Sequence, residues 1–205
     1  NETKNYNLKI INNQRHTNSP KKDAIQAAIN QAKHQWIITT DADCIVPVYW
    51  LDSFDNFIQS QSLKMIAGPV SYSQGNGLLN TFEALDFLSL IGATIGAFGI
   101  NKPFLCNGAN LAYQKQFFQQ LNGFEGNTNI ASGDDIFLME KALKKDSNSI
   151  KYLKSKQATV ITKPQNNLKN LISQRVRWAS KTSNYNNTFA KIVGLLVLIT
   201  NASLV

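Results

Sequence analysis

The sequence predicts an α/β domain built on a parallel sheet, and three observations carry that expectation. Apolar, β-rich runs alternate with helical patterns through the first half of the chain. The run at 36–40, Trp-Ile-Ile-Thr-Thr, stops abruptly at Asp41-Ala42-Asp43, and open α/β sheets bind ligands at the carboxyl ends of their strands. The chain has 205 residues, 43% of them hydrophobic, which suits one domain with one core.

The elements follow in order. Residues 8–11 form a short apolar run that reads as a strand. Ser19-Pro20 opens a helix, because Ser caps well and Pro suits the first helical position. Ala24, Ile25, Ala28, Ile29 and Ala32 then share one helical face. The strand at 36–40 precedes a helix at 50–59 and a strand at 64–70. Residues 78–98 are long, apolar and Gly-interrupted, a helix lying on the sheet or on a membrane surface. A strand at 110–113, helices at 115–121 and 136–144, a strand at 158–162 and a basic helix at 167–181 complete the domain.

Residues 189–205 carry one charge, Lys191. From Ile192 the run gives about 21 Å of helix, against about 30 Å for a bilayer core. It reads either as the start of a transmembrane helix or as a core helix. Asn1 is not preceded by a start methionine and no leader follows it, so the chain is expected to be a fragment.

The formal net charge is +8, which favours an anionic partner without choosing among nucleic acid, lipid and sugar nucleotide. Cys44 and Cys106, with no CxxC pair, read as reduced thiols in a cytosolic compartment.

Three clusters carry chemistry. Asp41 and Asp43 can share one hard divalent cation that bridges a diphosphate; an acidic turn after a strand is the other reading. Gly133-Asp134-Asp135 can supply a general base, while Ser132 with Asp135 equally makes a capping signature. Gln174, Arg177 and Trp178 share a helical face. Arg suits a diphosphate and Trp the apolar face of a sugar ring, although a basic helix anchored by one Trp explains them too. Cys106-Asn107-Gly108-Ala109-Asn110 is either a sugar-lining segment or a tight turn. Lys22, near a helix start, can meet a phosphate.

Taken together, KKDAI (21–25), TTDADC (39–44), CNGAN (106–110), SGDD (132–135) and QRVRW (174–178) resemble the processive membrane synthases of glycosyltransferase family 2. Those make cellulose, chitin, hyaluronan and poly-N-acetylglucosamine. The resemblance covers about residues 20–180, and QRVRW is its most specific part. It implies a GT-A (Rossmann-like) fold and inverting transfer from a nucleotide-sugar donor, a UDP-sugar first among them, to a glycan or lipid-linked acceptor. Asp43, with Asp41, would hold Mg²⁺ or Mn²⁺ and the donor diphosphate. Asp135 would be the base and Asp134 its support. Lys22, Gln174 and Arg177 would bind the donor; Asn107, Gly108, Asn110 and Trp178 would border the acceptor. Residues 1–188 would be a partial catalytic domain facing the cytoplasm, lacking an N-terminal strand and its base-binding acid. Residues 189–205 would begin a transmembrane segment in the inner membrane.

A non-processive family member making a glycolipid is the nearest alternative. A haloacid dehalogenase-type phosphohydrolase is more distant: it would need Thr or Val where Ile45 stands, and leaves QRVRW unexplained. No nucleic-acid-binding motif accompanies the basic charge, so no nucleic-acid partner is expected.

Overall fold

The computed structural model describes residues 8–126, 133–182 and 188–203. Among them, helices α1 (Pro20–Gln31), α2 (Trp50–Ser60), α3 (Leu78–Gly99), α4 (Lys115–Gln120), α5 (Asp134–Asp146), α6 (Leu168–Thr182) and α7 (Thr188–Ser203) alternate with six short strands. These are β1 (Trp36–Thr39), β2 (Met65–Ala67), β3 (Val70–Tyr72), β4 (Leu111–Gln114), β5 (Ile150–Tyr152) and β6 (Val160–Thr162). Residues 8–11 form no strand, contrary to the sequence expectation.

The sheet is mixed rather than parallel. Its order is β1-β4-β2-β5, with β4 antiparallel to both neighbours and β2 parallel to β5. The long excursion through α3 returns the chain from the opposite edge, so β4 runs against β1 and β2. The expected single strand at 64–70 is in fact two. β2 enters the main sheet, and β3 pairs in parallel with β6 in a second, two-stranded sheet. The break falls at Gly68-Pro69: Pro69 has no N–H for a ladder, and a Cβ on Gly68 would sit 2.6 Å from the Asn110 amide.

Side chains alternate across the main sheet as a two-residue period requires. Met65, Ala67, Leu111 and Tyr113 join one core cluster with Ile29, Phe117, Phe118 and Met139 from α1, α4 and α5. Ile66 and Ala112 point the other way, into a cluster with Trp50, Phe54, Phe87 and Val160. Helices therefore cover both faces of the main sheet, the layered α/β arrangement the composition suggested.

Asn110 cross-links the second cluster. It is fully buried, accepts from Trp50 Nε1 at 3.0 Å and donates to the carbonyls of Pro69 at 2.7 Å and Ala158 at 2.8 Å. The sequence expectation put Asn110 at the acceptor; its amide is instead engaged on all sides within the core. Asn110→Ala orphans a buried indole N–H and two carbonyls, so an expected loss of about 2–4 kcal/mol should appear as a lowered urea midpoint.

Candidate active site

Four segments meet at one end of β1, and the ladder register explains why. Thr39, the last residue of β1, lies opposite Leu111, the first of β4. The turn before β4, residues 107–110, is thereby brought beside the turn after β1, which carries Asp41 and Asp43. Thr39 Oγ1 fastens the two by donating to the Gly108 carbonyl at 2.7 Å. Asn107 Oδ1 accepts from the Ala109 N–H at 3.0 Å and shapes the 107–110 turn.

α5 delivers the second pair of carboxylates. Gly133 stands at its N-cap with φ 82°, a left-handed conformation that glycine adopts without a Cβ penalty. Asp134 and Asp135 fill the first turn, where helix-terminal N–H groups favour negative charge. One Asp135 oxygen accepts from Gly108 N at 2.8 Å and the other from Ile136 N at 2.9 Å. Burial and the charge of Asp134 raise the Asp135 carboxyl above its ordinary range, and the two N–H bonds and Lys21 oppose that rise. Ser132, the expected cap, lies outside the described residues.

α1 completes the cluster with a residue that the sequence reading passed over. Lys21 Nζ meets Asp41 Oδ1 at 2.8 Å. Burial opposes its charge, but Asp41, Asp134 and Asp135 together hold its pKa above the usual value. Lys22, the lysine expected at the donor, is 2% exposed. It lines a separate cavity of about 540 Å³ with His16, Thr17, Asp23 and Phe124, and burial lowers its pKa against the pull of Asp134. Adjacent helical residues point about 100° apart, so only one of the two lysines can face the cleft. Nothing in a Lys-Lys pair says which; the buried face of α1, read from Ile29, favours Lys22 for the interior.

Asp41 is partly exposed and Asp43 exposed. Cys44 Sγ lies 3.9 Å from Asp43 Oδ1, and burial raises the Cys44 pKa, so it stays a thiol. Cys106 is buried and likewise raised by burial; both cysteines are free. Asp41 and Asp43 fit a hard cation by donor chemistry: oxygen ligands, at the surface, with room left for substrate phosphates. Among the described residues no group of three His, Cys, Asp or Glu side chains forms a closed protein cage. Such a site would be finished by substrate.

The motif on α6 is held differently. The Tyr72 hydroxyl reaches Gln174 Oε1 at 3.5 Å. The Arg175 guanidinium lies 4.5 Å from the Trp178 ring centroid and pairs with Asp86 of α3. Trp178 packs 6.4 Å from Phe87, at the rim of the second core cluster. These contacts tie Gln174 and Trp178 to β3 and α3, and Arg175 covers a ring face that the acceptor-stacking expectation needs open. Arg177 is exposed.

The dehalogenase-type alternative requires its Gly-Asp-Asp at the end of a strand. Here those residues open a helix instead.

A mycobacterial protein of known crystal structure is similar over 80% of this chain, with 12% identity and a TM-score of 0.40. The chain spans 48% of that protein's length. No curated protein sequence matches it. The family model described as glycosyltransferase like family 2 matches residues 2–181. The chain is a glycosyltransferase and belongs to that family.

Proposed function

We propose that the protein transfers a sugar, with inversion, from a nucleotide-sugar donor to a glycan acceptor at the cytoplasmic face of a membrane, and that it builds a polysaccharide. The observation that carries the reading is the Lys21–Asp41 and Gly108–Asp135 cluster, one end basic and phosphate-ready, the other a positioned carboxylate. Lys21 supplies positive charge where a donor diphosphate would lie. Asp43 and Asp41 would hold Mg²⁺ or Mn²⁺, which would neutralise charge on the departing diphosphate. Asp135 takes the proton from the acceptor hydroxyl as that oxygen bonds to the anomeric carbon and the carbon–phosphate oxygen bond breaks. With both oxygens held by backbone N–H groups, Asp135 presents a fixed lone pair, and positioning of this kind contributes strongly to rate. Arg177 and Gln174 complete the donor side, Trp178 the acceptor side. Asn107 and Gly108 border the acceptor.

A raised carboxyl has a kinetic signature. Asp135 must be ionised to act, so kcat/KM falls as pH drops through its pKa, and that acid limb lies above the ordinary aspartate range. Asp134 is part of the cause. Asp134→Asn removes one negative neighbour, lowers the Asp135 pKa, and moves the acid limb to lower pH. An unmoved limb assigns that limb to another group.

The reading is tested by assaying the full-length protein in membranes against UDP-, GDP- and TDP-sugars, with product sizing. Long products from one donor class support it. A single sugar added to lipid favours the glycolipid alternative, and release of phosphate without sugar transfer contradicts it.

A further inference from the structure

α3 has two unlike faces. Its charged residues are Glu83 and Asp86, and both are consumed by the protein. Glu83 is fully buried and accepts from the Gln165 N–H through both oxygens. Asp86 pairs with Arg175 of α6. On the opposite side Leu78, Phe82, Leu85 and Leu88 are 92%, 59%, 62% and 63% exposed. Positions 78, 82, 85 and 88 advance by four, three and three, one stripe of a helix. Gly92 and Gly96 continue it with open space before them. By length and composition α3 could cross a membrane.

We propose that this outward stripe lies flat in the interface of an anionic bilayer, with α3 parallel to the membrane plane. The inference rests on the membrane reading above and goes further by naming the element and its orientation. Crossing is excluded by what α3 is bound to. Phe87 packs on Tyr72 with ring centroids 4.6 Å apart and on Trp178. A spanning α3 would drag β3, α6 and the buried Glu83 carboxylate into hydrocarbon, where unpaired backbone and charge are costly.

Charge selects lipid over a second copy. α6, bound to α3 through Asp86 and Arg175, exposes Ile172 and Val176 on one flank and Lys169 and Arg177 on the next. Lys102, just beyond α3, sits 5.7 Å from the Phe189 ring at the start of α7. Exposed apolar stripes flanked by Lys and Arg are the pattern of interfacial helices. Two copies of a chain with net charge +8 would repel where such a stripe met itself.

The test places an environment-sensitive fluorophore singly at Leu78→Cys, Leu85→Cys and Leu88→Cys of the full chain, in a Cys44→Ser background. Each is mixed with phosphatidylcholine–phosphatidylglycerol vesicles and with phosphatidylcholine vesicles. All three probes should shift to the blue on the anionic vesicles and be quenched equally by a shallow spin-labelled lipid. The combined Phe82→Asp and Leu85→Asp variant should partition about tenfold more weakly with unchanged circular dichroism. Probe depths that increase from 78 to 88 mean spanning, and overturn the proposal. So do unshifted probes on both vesicles, or shifts that arise from self-association without lipid. Sugar transfer assayed on the same samples separates the two readings. Transfer with unseated probes sinks only this inference, and seated probes without transfer sink only the proposed reaction.

Discussion

Asp135→Asn is expected to lower the transfer rate by about 10²–10⁴-fold, the contribution of a positioned base, while donor binding persists. The asparagine carbonyl can still accept from Gly108 N, so the turn that Asp135 now holds at 2.8 Å keeps its tether. What is lost is the lone pair that receives the acceptor proton. Steady-state kinetics should therefore show a fall in kcat with little change in donor KM, and circular dichroism should be unaltered. Turnover within tenfold of the parent would move the base to another residue.

Asp43→Asn carries the second large effect. Asp43 is exposed at the end of β1 and its one recorded neighbour is a protonated thiol, so the substitution costs little in packing. It removes a full anionic ligand from a set of two, the other being already shared with Lys21. Loss of one electrostatic contact to a developing charge costs about 10²–10³ in rate. The loss should shrink as Mn²⁺ is raised, because weaker coordination is offset by concentration. A variant with parental activity at low metal, or a parent enzyme indifferent to chelator, removes the cation from the account.

Much of this was legible in residue patterns, and the failures have physical causes. α1, α2, α4 and α6 follow their caps and apolar periods because those signals are local. β1 announced itself by β-branched residues and a sharp acidic stop. β4's direction did not, since a three- or four-residue strand carries no mark of whether its neighbours run with or against it. β5 was missed because Ile-Lys-Tyr is too short for any period. Residues 8–11 are apolar enough for a strand, but pair with nothing among the described residues. Asn110 illustrates the limit for sites. An Asn in a polar, Gly-containing turn looks like a ligand residue, and only three-dimensional neighbours show its amide spent on Trp50, Pro69 and Ala158. Lys21 and Thr39 were overlooked for the converse reason: their value lies in partners 20 and 69 residues away.

The anomeric configuration of the product tests the central claim most directly. One base, Asp135, facing the donor with no second nucleophile implies a single displacement at the sugar carbon, and a single displacement inverts it. Full-length protein in membranes would be given an α-linked nucleotide sugar, and the new glycosidic linkage read from the anomeric proton coupling by NMR. The account predicts a β linkage. An α linkage would require two displacements through a covalent sugar intermediate, and would contradict the role given to Asp135.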